Sequence, residues 1–92
     1  MNSPCLQKVV VIRNAEGMHA RPATLMARLA MKYQSKITLV KDNQPVDCRS
    51  ILDLLTLGAP MGTEIRIEAT GSDAESALEA VADLVAKKFF ED

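Results

Sequence analysis

The sequence predicts an α+β fold. The expected form is a two-layer open-faced sandwich in the order β-α-β-β-α-β-α, its four-stranded antiparallel sheet covered on one face by helices. Three observations predict it. "TEIRIEA" alternates cleanly, with Ile65, Ile67 and Ala69 facing one way and Glu64, Arg66 and Glu68 the other, as in an antiparallel sheet with one solvated face. Two longer stretches, after His19 and after Ser72, repeat apolar residues at helical spacing. Strands that are each apolar on one face need one layer of helices to cover that face.

The elements follow in order. "QKVVVIR", residues 7–13, is short and β-branched, so it reads as the first strand despite weak alternation. "NAEG" breaks it, and the helix after His19 places Leu25, Met26, Leu29, Ala30 and Tyr33 on one face. "SKITLVK" is the second strand, which turns through Asp42 and Asn43 into a short third one, "QPVDC". Pro45 cannot donate to a ladder, which puts that strand at a sheet edge. "SILDLLTL", residues 50–57, is a brief helix stopped by Gly58 and Pro60. "TEIRIEA" is the fourth strand. Ser72 and Glu75 make a capping-box pattern ahead of Ala74, Ala77, Leu78, Val81, Leu84 and Val85, the last helix.

Ninety-two residues suit a single domain, 1–92, with no repeat or linker. Net charge is −1, from eleven basic and twelve acidic residues, so no long-range field points to nucleic acid or an anionic membrane. Aromatic residues are nearly absent (Tyr33, Phe89, Phe90), which argues against base-stacking platforms. The two cysteines, Cys5 and Cys48, and one histidine make no recognisable metal-ligand spacing, and no cofactor motif is present. Distant thiols in a domain able to build a core suit a reducing compartment, although a single bridge stays open. With no basic start leading into an apolar segment, the expected location is the cytoplasm, away from the membrane.

The only histidine is His19, in "EGMHARPATLMARLA". It stands at a helix entrance, where unpaired amides and a partial positive charge make an anion site. Pro22 fits the first turn. Arg21 can fork onto phosphate oxygens. A largely neutral imidazole has a free nitrogen lone pair near pH 7. A nucleophilic nitrogen beside a dianion cradle suits reversible phosphorylation. Gly17 permits an unusual backbone geometry and is expected to leave open space before the ring. The plain alternative is a surface or capping histidine without chemistry, and on these residues alone both readings stand.

"GMHARPATLMARLA" resembles the active-site segment of the HPr family, the histidine-containing phosphocarriers of the bacterial phosphoenolpyruvate-dependent sugar phosphotransferase system. The family core is G-[LI]-H-A-R-P-A, and this sequence keeps all of it except Met18 for leucine or isoleucine. A second block, "CRSILDLLTLGAPMGTEIRI", resembles the family's serine-containing short helix, leucine-glycine stop and following strand. The resemblance runs from about residue 9 to residue 85 and implies the same fold. It implies phosphorylation of His19 on Nδ1, with Arg21 steadying the group and the Ala20 amide assisting. It further implies enzyme I as donor and a IIA component as acceptor.

One docking face for both partners would be an apolar patch of Met18, Leu52 and Leu55, ringed by Arg21, Arg28 and Arg49. Core packing is the equal alternative for Leu52 and Leu55, and a solvated charge for Arg28. In the family the serine matching Ser50 is phosphorylated by an ATP-dependent HPr kinase. Two departures bear on this. Asp53 stands where regulated members carry glycine or a basic residue, and S-x-x-D is itself a capping pattern. Glu16 brings a carboxylate close to the expected phosphoacceptor. The resemblance leaves three readings: a sugar-uptake carrier, a carrier in a nitrogen-related or permease-lacking regulatory branch, and a non-catalytic binding module. The last fits poorly, because catabolite-repression paralogues lack the histidine kept here.

Overall fold

A computed structural model describes residues 5–91. The ends of the expected 1–92 span, residues 1–4 and 92, lie outside the described residues. The strands are β1 (Cys5–Val11), β2 (Lys36–Lys41), β3 (Gln44–Asp47) and β4 (Glu64–Thr70); the helices are α1 (Ala20–Ala30), α2 (Ile51–Thr56) and α3 (Ala74–Ala86). A 3-10 turn at Lys88–Phe90 follows. The order is the one expected from sequence, and the antiparallel sheet runs β1-β4-β2-β3.

Alternation decides the layers. Ile65, Ile67 and Ala69 of β4 and Ile37 and Leu39 of β2 are buried under the helices. The opposite face carries polar pairs such as Gln7 with Glu68 and Arg66 with Glu68. The core is completed by Ala23, Met26, Ala27 and Ala30 from α1 and by Ala77, Val81 and Val85 from α3. Small alanines let α1 lie close over the sheet, so the buried face is shifted from the leucine-rich stripe expected. Leu25 and Leu29 sit at its margin, and Tyr33 falls beyond the helix end. β3 is an edge strand, as Pro45 requires. Asp42 and Asn43 both take positive φ, at 50° and 64°, the geometry of a two-residue hairpin turn whose twist matches its strands.

Three local expectations are corrected. The first strand is displaced toward the N-terminus, because pairing with β4 fixes Cys5 opposite Thr70 and Val11 opposite Glu64. The Ser72–Glu75 capping box does not form. α3 starts one residue later, with Asp73 at its N-cap, and that carboxylate accepts from the Gln34 and Ser35 amides and the Ser35 hydroxyl instead. A tertiary clasp has displaced a local cap. Finally, Met18 is only 6% exposed and belongs to the core, so it offers nothing to a docking face.

No helix among the described residues is long and apolar enough to cross a membrane. Both cysteines are free; Cys48 is buried, and that burial, aided by the Asp47 charge, pushes its thiol up to about 12. It is an inert core residue.

Candidate functional site

The loop from Asn14 to Met18 places the histidine. Gly17 N–H donates to the Asn14 carbonyl at 3.1 Å, and the Asn14 side chain donates back to the Gly17 carbonyl at 2.7 Å. Met18 N–H donates to the Ala59 carbonyl at 2.8 Å while its side chain enters the core. Gly17 has φ +68°, and a Cβ there would strike the Ala59 carbonyl oxygen and come within 2.8 Å of Pro60 Cα. The glycine is therefore needed where the loop presses on the Ala59–Pro60 backbone. Open space before the ring is not the reason.

His19 is the N-cap residue of α1 in extended conformation, and its side chain makes no capping bond. The first helical amide with a partner behind it is that of Ala23, which donates to the His19 carbonyl at 3.0 Å. Pro22 has no N–H. Among the described residues the amides of Ala20 and Arg21 are thus the free donors of the opening turn. Arg21 is exposed and makes no ion pair among the described residues. The two amides and the dipole end of an eleven-residue helix lie at His19, and the Arg21 guanidinium is near enough to act on the charge of Glu91. This arrangement can receive a dianion.

The ring itself is half-buried and engaged on one side. His19 Nε2 lies 2.9 Å from Glu91 Oε2 and 3.2 Å from Oε1. Glu16 Oε2 is farther off, at 3.6 Å. Asn14 Nδ2 also donates to Glu91 Oε1 at 2.9 Å. Partial burial pushes the Glu91 carboxyl up, but the bonds from His19 and Asn14, with the nearby His19 and Arg21 charges, hold it below its ordinary range. Nδ1 has no hydrogen-bond partner among the described residues. The potential ligand atoms of Glu16, His19 and Glu91 lie within 4.8 Å of one another, a grouping invisible as sequence spacing.

The other expected residues divide. Ser50 caps α2, its Oγ accepting from Asp53 N–H at 3.2 Å. α2 packs against α1, with Leu54 and Leu57 inward. Leu52 is 75% exposed, and Ile51 and Leu55 stand beside it at 40% and 38%. Ile51 was absent from the sequence-based patch. Arg28 is exposed on α1, whereas the Arg49 guanidinium is tied to the Tyr33 carbonyl at 2.6 Å. Asn14 and Glu91 escaped sequence reading altogether. Asn14 looked like a strand breaker, and nothing local marks a carboxylate near the chain end as a neighbour of His19.

Comparison with known proteins points the same way. Residues 6–87 match the family described as PTS HPr component phosphorylation site. The phosphocarrier protein HPr of Treponema pallidum (strain Nichols) is 38% identical over 85 residues, 92% of this chain and 97% of that protein. Among solved structures, HPr-C-His from Thermoanaerobacter tengcongensis is similar with TM-score 0.90 and 38% identity, covering 95% of this chain and 98% of the other. A phosphocarrier protein HPr from Bacillus anthracis str. Ames gives TM-score 0.84 and 38% identity over 88% and 96%. A family match across nearly the whole chain, joined to the same fold, is decisive: the chain belongs to the HPr family of phosphocarriers of the phosphotransferase system.

Proposed function

We propose that this chain, as one cytoplasmic carrier domain, takes a phosphoryl group from enzyme I on His19 Nδ1 and passes it to a IIA component. The observation that carries this reading is the placement of His19 at the α1 N-cap beside the Ala20 and Arg21 amides and an Arg21 guanidinium, none of which has a partner among the described residues. Positioned charge does most of the work in phosphoryl transfer, with little covalent chemistry left to the protein. The Nδ1 lone pair attacks phosphorus while the donor's P–N bond breaks and its electron pair returns to the donor nitrogen. Amides and guanidinium hold the oxygens throughout. Because the group moves from a donor phosphohistidine to the phosphohistidine of His19, a small difference in stabilisation sets the direction of that step.

Docking is assigned to the exposed Ile51, Leu52 and Leu55 on α2, beside the site, with Arg28 and Arg21 at the rim to meet acidic partners. No metal or other cofactor has a part in this scheme.

Incubation with phosphoenolpyruvate and enzyme I tests it. One acid-labile, base-stable phosphoryl group should appear, and a IIA protein should discharge it. His19→Ala should abolish uptake. Arg21→Ala should keep the fold but slow transfer by two to three decades, about 2–4 kcal/mol for a lost charged donor. Uptake by His19→Ala at the parent rate would overturn the assignment.

A further inference from the structure

Glu91 reaches His19 by an unusual route. Lys88, Phe89 and Phe90 all take left-handed backbone conformations, with φ of 56°, 54° and 60°. Three successive non-glycine residues in that region are strained and persist only where surrounding contacts impose them. The imposing contact is Phe89, which is completely buried in the core. The amides of Phe90 and Glu91 close the turn on the carbonyls of Lys87 and Lys88, each at 2.9 Å. The turn ends by delivering the Glu91 carboxylate to 2.9 Å from His19 Nε2. Asn14 fixes its rotation by donating to the other oxygen, Oε1.

A carboxylate only accepts hydrogen bonds, so the nitrogen facing it must carry the proton. We propose that Glu91 is a positioning residue for phosphoryl transfer: it holds the His19 proton on Nε2 and thereby keeps the lone pair on Nδ1, the nitrogen free of partners among the described residues. This deepens the transfer reading above and rests on it for its consequence, though not for its geometry. When Nδ1 bonds to phosphorus, the ring gains positive charge and the Nε2 proton remains in its bond to Glu91. The charged ring is then a better leaving group for the onward step. The same logic of a carboxylate orienting an imidazole operates in hydrolytic triads. The other charged groups facing the ring are Glu16 from the preceding loop, beyond hydrogen-bond reach at 3.6 Å, and Arg21 from α1, which offsets the carboxylate.

The isosteric substitution provides a sharp test. In Glu91→Gln, Asn14 continues to donate to the remaining carbonyl oxygen, which turns the new amide NH2 toward Nε2. That donor favours the opposite tautomer, with the proton on Nδ1 and the lone pair occupied. Glu91→Ala merely releases the ring. Glutamine should therefore be worse than alanine, the reverse of what a packing role predicts. Long-range proton–nitrogen spectra of the unphosphorylated full chain should show Nε2–H in the parent, a shift toward Nδ1–H in Glu91→Gln, and a mixture in Glu91→Ala. Glu16→Gln should leave the parent tautomer in place. With enzyme I, Glu91→Gln should accept phosphate roughly 10- to 100-fold more slowly, short of the ~10⁴ loss for the corresponding change in a triad, and Glu91→Ala by less. Nε2–H retained in Glu91→Gln, or alanine slowing transfer at least as much as glutamine, would overturn the proposal. The tautomer measurement needs no phosphorylation, so it separates this inference from any failure of the carrier scheme itself.

Discussion

Asn14 and Glu91, 77 positions apart, are joined by a 2.9 Å hydrogen bond from a fully buried amide to a carboxylate. The same Asn14 nitrogen donates to the Gly17 carbonyl at 2.7 Å. One side chain therefore couples the loop before His19 to the carboxylate that engages the ring. Both the backbone entry to α1 and the orientation of the imidazole depend on it.

Asn14→Ala should accordingly cost stability and loosen the site together. Two donated bonds are lost, one of them to a charge, but so is the Asn14 Oδ1, which is buried without a partner among the described residues. The net cost expected is about 1–2 kcal/mol, read from urea unfolding at pH 7. Asn14→Asp should cost more at that pH, because it sets a second carboxylate against Glu91 where a donor had been. Equal stability of parent and both variants would mean that the loop is held by the Ala59 contact alone.

For docking, Leu52 is the informative position. Its exposure means that Leu52→Asp should leave unfolding within about 0.5 kcal/mol of the parent. Binding to enzyme I and to a IIA protein should weaken together, by roughly 10-fold or more each, since one face serves both. Chemical-shift mapping with either partner, beside an unfolding curve, checks this. Loss of fold, or loss of binding to only one partner, would contradict a shared face.

Features written in short-range periodicity were legible in the sequence. The alternation of β4 assigned its two faces, Pro45 placed β3 at the edge, and Pro22 with the residues after it located the start of α1. What could not be read depends on distant partners. Met18 sits beside His19 in the chain, yet its side chain turns into the core because the Ala59 carbonyl holds its amide. Ser72 and Glu75 satisfy a local capping rule, but Asp73 finds three donors on the segment before β2 and the helix begins there instead. Glu91 becomes a neighbour of His19 only through a left-handed turn anchored by Phe89, and no sequence pattern encodes such a turn in non-glycine residues.

The Asp73 clasp makes a prediction about acid. The Ser35 hydroxyl bond, with the Gln34 and Ser35 amides, outweighs partial desolvation and holds the carboxyl below its ordinary 3.8. A folded value below the unfolded one stabilises the fold fully above the unfolded value. The contribution is lost as pH falls through the folded value. Glu91 acts with the same sign. Asp73→Asn should therefore lower Tm by a constant amount above about pH 5, and the gap to the parent should narrow progressively as pH falls below the ordinary 3.8. Thermal melts across that range decide it. A gap that stays constant into strong acid would show that charge on Asp73 is irrelevant to the clasp.

Ser50 raises the question of regulation. As N-cap of α2 its Oγ accepts from the Asp53 amide, but the Asp53 carboxylate returns no bond to Ser50 N–H, which donates to the Asp47 carbonyl at 3.0 Å. The capping box is half formed. The hydroxyl proton stays available, and a helix N-terminus tolerates the −1.5 to −2 charge, approximately, that a phosphate would add. Against modification stand an exposed carboxylate one turn away and the cap that phosphorylation would disturb. Ser50 should therefore be a poor substrate for an HPr kinase. Asp53→Asn and Asp53→Gly should each raise the extent of phosphorylation by about 2- to 5-fold, the scale of one screened surface charge pair. The asparagine variant separates charge from helix propensity. Mass spectrometry after kinase treatment reads the result. Rapid, complete phosphorylation of the parent, unimproved by either substitution, would make Ser50 a regulatory site and leave Asp53 without influence on it.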